Sequence, residues 1–259
     1  MRARDAVRAG RGFTLVELVV VIVLIGVTAV VLTPFITHTV RGYVDGARRY
    51  DGVATARSAL DRMDRELREA LPHSIRISGN CLQFLPILAS GNYTAPPTGA
   101  VIKVINNFEP PTGDTLYATV WPAGPDALYG GTGMVRITSI AEADAGASWS
   151  VNLAAAAAFN GDSLAKRLHI LGNPVSFCLL NGGLYRYTGI VTAGQPGPGD
   201  AAMGAGAILV DGIDVGASGF SVSNGSPVLN GFVVSKLTIT HNNGERLMLD
   251  HLTALRNGL

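Results

Sequence analysis

Twenty consecutive residues near the start of the chain, Leu18–Thr37, include no Asp, Glu, Lys, Arg or His. At ~1.5 Å per helical residue they reach ~30 Å, the thickness of a bilayer hydrocarbon core. The preceding residues 1–12 carry four Arg and one Asp, and a basic flank stays in the cytoplasm while the rest of the chain crosses the membrane. A removable secretory signal has a shorter apolar core followed by a small-residue cleavage site. The segment therefore predicts a retained membrane-spanning helix.

The start of this apolar segment has two unusual features. Gly12 and Phe13 form a junction directly before it, and Glu17 is an isolated carboxylate close to its beginning. A carboxylate in lipid costs several kcal/mol, so an isolated one indicates a function. The alternative is a plain signal anchor in which Glu17 reaches back to the membrane interface.

Residues 11–27, RGFTLVELVVVIVLIGV, resemble the type IV prepilin processing motif. The resemblance implies that a prepilin peptidase cuts between Gly12 and Phe13 and N-methylates Phe13, and that Glu17 drives assembly. Pro34 matches a helix-kinking proline that is frequent in this family. The new α-amine of Phe13 and the carboxylate of a neighbour's Glu17 would neutralise each other, and each charge alone is costly in lipid.

Three further segments carry a resemblance to a narrower group. Residues 81–86, 174–187 and 246–257 resemble minor pilins of the mannose-sensitive haemagglutinin (MSHA) pilus system, specifically its O-type subunit, whereas 89–165 resembles no family. The layout is also similar to the J-type pseudopilin of type II secretion and to the W-type minor pilin. The resemblance implies a minor pilin of an initiation or tip complex. It would reside in the inner membrane, with its N-terminus cytoplasmic, before assembly and in an extracellular pilus afterwards.

The same resemblance implies a set of partners. These are the prepilin peptidase, other minor and major pilins, the inner-membrane pilus assembly platform and the lipid bilayer. Twenty Lys and Arg against 19 Asp and Glu give a net charge of +1. Because no global basic field results, nucleic acid is not an expected partner.

The polar stretch from Thr37 to Leu71 keeps a helical period. Four apolar residues lie on one helical face at spacings of 3, 4 and 4, which predicts a stripe that packs on a sheet: Leu60, Met63, Leu67 and Leu71. Opposite charges four residues apart occupy the other, solvated face. Pro72 ends the predicted helix.

The remainder of the chain is predicted to be β-rich, with turn signals at 79–80, 181–183 and 242–244. Strands are expected at 74–78, 81–85, 101–105, 115–121, 134–140, 167–171, 175–180, 184–188, 233–241 and 245–255, and a short helix or loop at 154–158. The predicted fold is α+β, a long N-terminal hydrophobic and amphipathic helix packed on an antiparallel sheet, as in type IV pilins. The predicted segments are a leader (1–12), a transmembrane assembly helix (13–36), the amphipathic half of the stalk helix (37–72) and an extracytoplasmic globular domain (73–259).

Enzymatic motifs are weak. Residues 161–164, Gly-Asp-Ser-Leu, spell the block of one esterase family, but they lie deep in the chain and Asp250-His251 lacks that family's second motif. A membrane-tethered periplasmic hydrolase using Ser163 is the alternative of another class. The five histidines form no HxH or HExxH pair, so neither a metal nor a cofactor is expected. The prediction is a structural protein without catalytic residues.

The two cysteines, Cys81 and Cys178, lie on predicted apolar strands of one domain. The topology places that domain outside the cytoplasm, where thiols oxidise. A disulfide is therefore predicted, and closing a loop of ~98 residues would stabilise the fold by roughly 4–5 kcal/mol in the chain-entropy model. The alternative is two separate buried thiols.

Overall fold

The computed structural model describes residues 12–113, 115–121, 124–157, 159, 161–223, 231–240 and 244–255. By internal contacts the chain divides into two compact units, Met1–Asp51 and Gly52–Leu259. A long N-terminal helix is followed by antiparallel sheets, which confirms the predicted α+β class. Most of the predicted leader, residues 1–11, lies outside the described residues.

Helix α1 spans Leu15–Arg68, and the short helix α2 spans Pro125–Tyr129. Among the described residues the strands are, in chain order, β1 (Arg76–Ser78), β2 (Cys81–Phe84), β3 (Ile87–Asn92), β4 (Val101–Ile105), β5 (Leu116–Thr119), β6 (Val135–Ala143), β7 (Ser148–Leu153), β8 (Arg167–Leu171), β9 (Val175–Leu180), β10 (Gly183–Thr188), β11 (Gly206–Asp211), β12 (Gly219–Ser223), β13 (Phe232–Thr240) and β14 (Arg246–Ala254). Three short 3₁₀ turns occupy Asp144–Gly146, Ala201–Met203 and Val215–Ala217.

The described residues of 52–86 and 172–255 form what we call the body. Its five-stranded sheet has the order β1-β2-β9-β10-β11, and a three-stranded sheet has the order β12-β13-β14. A bridge between Ile213 and Ile239 joins the two sheets. The predicted stripe packs on them, and its members are at most 4% exposed: Leu60, Met63, Leu67 and Leu71. The first three share one core cluster with sheet residues such as Phe177 and Leu237. Helix α1 ends at Arg68 and not at Leu71 as predicted, so Leu71 is buried just after the helix.

The predicted hairpins of the body are confirmed by strand register. Ser78 pairs with Cys81 across the β1–β2 turn, and Leu180 pairs with Gly183 across the β9–β10 turn. In the second turn both central residues, Asn181 and Gly182, have positive φ, as the two-residue turn that suits a twisted hairpin requires. Strands β13 and β14 also pair along their whole length, although residues 241–243 of their connection lie outside the described residues.

Residues 87–171 form a second assembly of strands, which we call the barrel. Its six strands follow the order β3-β8-β5-β6-β7-β4. The first and last strands then meet, because Tyr93 bridges Val104 and the Thr94 N–H donates to the Lys103 carbonyl at 3.2 Å. The sheet is thereby closed, and its interior is filled by side chains: Tyr93, Ile102, Val104, Ala118, Val120, Ile137, Val151, Leu153, Leu168 and Ile170.

Four strands were not expected from the sequence: β3, β7, β11 and β12. Two of them, β3 and β7, belong to the barrel, and β11 and β12 belong to the body. Residues 154–157 form irregular chain and not a helix. The strands at 101–105, 167–171 and 175–180 have the predicted bounds.

Candidate functional site

Helix α1 begins with a polar contact at the residues singled out in the sequence. The Glu17 backbone N–H donates to Thr14 Oγ1 at 3.2 Å, and the Leu18 N–H donates to the Thr14 carbonyl at 3.2 Å. Thr14 therefore caps the helix, and Glu17 occupies the third helical position, where an acidic side chain favours the helix dipole. The pattern Thr-x-x-Glu is the sequence signature of a capping box. Thr14 was not singled out from the sequence, although this signature identifies it.

The apolar half of helix α1 is exposed along its whole described length. Every described residue from 12 to 51 is exposed, including large side chains such as Leu15 at 78% and Val30 at 76%. Within the described residues this is the one helix long and apolar enough to cross a membrane, with a mean hydropathy of 3.1 over its most apolar 18 residues. Such a surface needs lipid or other apolar helices around it.

Threonine hydroxyls within this segment are satisfied by the helix itself. The hydroxyls of Thr28, Thr33 and Thr39 donate to carbonyls four residues earlier at 2.6–2.9 Å. Helix α1 continues through Pro34, which has no N–H to donate to the carbonyl of Val30. The kink predicted at Pro34 stays a prediction.

A comparison with known protein families identifies the start of helix α1. Residues 8–33 match the family model described as the prokaryotic N-terminal methylation motif. This part of the chain is pilin-like. Gly12, Phe13 and Glu17 all lie inside the match, which supports processing by a prepilin peptidase, assembly with other pilins and anchoring in the inner membrane before assembly. No curated protein and no solved structure matches the chain.

The cysteines meet in the body. Cys81 and Cys178 are opposite each other in the β2–β9 register and form a disulfide. Both are almost fully buried, under Tyr187 and Met203. Gln195 fixes the covering loop by donating from Nε2 to the Cys81 carbonyl at 2.9 Å.

Two carboxylates of helix α1 bind the sheets. Glu66 accepts from Arg186 of β10 at 2.8 Å, and Asp64 accepts from Arg68 at 2.7 Å. His251 Nε2 of β14 lies 3.2 Å from an Asp64 oxygen. Burial raises the pKa of Asp64, but hydrogen bonds from Arg68 and Thr253, together with the nearby His251, outweigh burial and leave it below its usual value. These contacts hold the helix against β10 and β14.

Ser163, the residue of the alternative hydrolase, has structural partners. Its hydroxyl accepts the backbone N–H of Arg167 at 3.2 Å, and its own N–H donates to the Tyr93 hydroxyl at 3.0 Å, which in turn donates to Asp162. His169 instead contacts Ser90, with 2.7 Å between Nδ1 and Oγ. The hydrogen bonds of the described residues thus pair Ser163 with no histidine, and the nucleophile–base pair of a serine hydrolase is not assembled there.

The described residues contain no group of three or more His, Cys, Asp or Glu able to hold a metal ion. The pilin-like motif therefore remains the feature that indicates function, and it suggests a structural protein.

Proposed function

We propose that this chain is a minor pilin of an MSHA-like type IV pilus, incorporated in its initiation or tip complex. The observation that carries the proposal is the Gly12–Phe13 junction followed by Glu17, inside the matched methylation motif. The exposed apolar half of helix α1 supports it, because a subunit that leaves the bilayer for a filament must exchange lipid for neighbouring helices. The resemblance of 81–86, 174–187 and 246–257 to the O-type subunit supports the narrower assignment.

The proposal assigns a role to each segment. Residues 1–12 are the leader, 13–36 the membrane and assembly helix, 37–72 the amphipathic half of the stalk, and 73–259 the globular domain outside the cytoplasm. The mature N-terminus is N-methylated Phe13. Partners are the prepilin peptidase, other pilins and the inner-membrane assembly platform, and the destination is the pilus.

Processing is tested by mass spectrometry of the protein extracted from membranes of a host with active prepilin peptidase. We expect loss of residues 1–12 and a methyl group on Phe13. A Gly12→Val variant, which adds bulk at the cleavage junction, should keep its leader. A wild-type chain that retains residues 1–12 in this host would contradict the proposal.

Glu17 needs a test that separates its charge from its place in the helix cap. Glu17→Gln removes the charge but leaves an amide side chain that a capping box also uses, whereas Thr14→Val removes the cap and keeps the charge. If Glu17 pairs with the α-amine of a neighbour, Glu17→Gln should lower co-purification with other pilins at least about tenfold, because breaking a buried ion pair costs about 3–5 kcal/mol. Thr14→Val should co-purify nearly as the wild type does.

The measurement compares both variants without a wild-type copy and scores membrane insertion in parallel. Insertion of Glu17→Gln should equal or exceed that of the wild type, since removing a charge lowers its transfer cost. Normal co-purification of Glu17→Gln, or an equal loss in Thr14→Val, would leave Glu17 as a capping residue. Recovery with secretion-system subunits instead of pilus subunits would assign the chain as a J-type pseudopilin.

A further inference from the structure

We propose that the barrel, residues 87–171, is an inserted module that unfolds independently of the body, and that assembly is a property of the body alone. The first half of this inference stands on the fold. The second half rests on the proposed function, because it concerns assembly with other pilins.

The barrel joins the body through two neighbouring strands. Chain enters from β2 to β3 through Leu85 and Pro86, and it returns from β8 to β9 through residues 172–174. The Gly172 N–H donates to the Pro86 carbonyl at 3.1 Å, so the two crossings lie side by side. An insert whose ends are adjacent can open without pulling its host strands apart.

The barrel has a main core cluster of its own. Tyr93, directly after β3, bridges Val104 of β4, so the two end strands of the barrel sheet meet. The main core cluster of the barrel shares no residue with the main core cluster of the body. Closure depends on Gly91, since a Cβ there would lie 2.3 Å from Val104 Cγ1 and 2.8 Å from the Phe108 ring. A small closed barrel filled by its own side chains is a self-sufficient core.

The body likewise has its own main core cluster and its own strand pairing. Strands β2 and β9 pair directly over four residues, and the Cys81–Cys178 disulfide joins them at one end of that pairing. Everything between Phe84 and Val175 lies beyond the last of these pairs. If the barrel opens, the disulfide keeps the two body strands together, because a covalent crosslink removes the entropy of separating them.

Side chains couple the two parts at their junction. Leu128 and Tyr129 of helix α2 pack with Leu71 and Leu85 of the body, and the Arg76 guanidinium lies 3.5 Å from the centre of the Tyr129 ring. Arg76 is also held by Gln83 Oε1 at 2.6 Å. Met134 and Leu171 of the barrel belong to the same buried cluster, and the Ile87 N–H donates to the Glu69 carbonyl at 2.8 Å at the first crossing. These contacts orient the barrel on the body.

Hydrogen exchange on the full chain decides whether the contacts at the junction make the barrel and the body unfold as one cooperative unit. Val151 in the barrel and Val233 in the body are both fully buried, so Val151→Ala and Val233→Ala are matched cavity-forming changes. Val151→Ala should accelerate exchange of β5–β8 amides about tenfold or more, and leave β9, β10 and β13 within about twofold of the wild type. Val233→Ala should accelerate the body amides. Equal acceleration of barrel and body by Val151→Ala, or none in the barrel, overturns the proposal.

The assembly half is tested with Val151→Asp and Val233→Asp, because a buried unpaired carboxylate disrupts the part that holds it. Val151→Asp should lose barrel protection yet keep leader cleavage, the disulfide and recovery with other pilins. Val233→Asp should lose recovery. Loss of recovery in Val151→Asp while the wild type is recovered refutes the assembly half alone. Failure of the wild type itself to be processed or recovered would instead refute the proposed function.

Discussion

Acidification should weaken the barrel through one buried histidine. His169 of β8 is 6% exposed and contacts Ser90 Oγ. Burial, with a smaller contribution from the nearby Arg167, lowers the pKa of His169 from 6.5 to about 4. Below pH 6.5 His169 therefore binds a proton in the unfolded chain but stays neutral in the folded barrel. The free energy of unfolding of the barrel falls as the pH falls.

The size of this effect follows from the pKa difference. Between pH 7 and pH 5 the free energy of unfolding falls by about 2 kcal/mol, which is somewhat more than half of the total loss. By pH 4, where the folded His169 begins to titrate, the loss reaches about 3 kcal/mol and levels off. In exchange terms, barrel opening should rise roughly 20–30-fold from pH 7 to pH 5 after correction for the intrinsic pH dependence of exchange.

The assay is hydrogen exchange of the full chain at several pH values, read over the β5–β8 amides. His169→Asn removes the titrating ring and should flatten the pH dependence of barrel opening. The exposed His73 provides the matched control, since His73→Asn should leave that dependence unchanged. A barrel whose opening is independent of pH between 7 and 5, or a His169→Asn variant with the wild-type slope, would refute the burial argument.

Two further predictions concern closure and crosslinking. Gly91→Ala should destabilise the barrel by about 1–3 kcal/mol through overpacking on Val104. The control Gly99→Ala should be nearly neutral, because its Cβ would meet only atoms 3.9 Å or more away. Equal melting temperatures of the two variants would contradict the closure geometry. Cys178→Ala, which breaks the bond to Cys81, should lower the stability of the body by about 2–5 kcal/mol, measured by urea unfolding, and an unchanged midpoint would show that the disulfide contributes nothing.

The N-terminal part of the chain was predictable because its signals are local. An uncharged run of 20 residues and the residues around Gly12 and Glu17 are read directly from the sequence. The stripe of helix α1 followed from a fixed helical period, and the β1–β2 and β9–β10 hairpins followed from turn residues between apolar runs. The disulfide could be predicted from an expected oxidising compartment and from two cysteines on predicted strands of one domain.

The strands that were not predicted have weak local sequence patterns. Strand β3 reads ILASGN, and β11 and β12 contain glycine and small residues, which have low strand propensity. Their strand state comes from partners distant in sequence, as when β3 pairs with β8 about 80 residues later. Pairing of this kind depends on tertiary context more than on propensity.

What the sequence by itself determined was an apolar helix long enough to cross a membrane, the methylation motif at its start, the buried stripe and the α+β class, because each is encoded by residues within a few turns or one hairpin. What only the tertiary structure decided was that residues 87–171 close on themselves. Closure requires β3 to meet β4 at Tyr93 and Val104, with Gly91 permitting the approach. No periodicity specifies such a contact, since it depends on where six strands lie in space relative to one another.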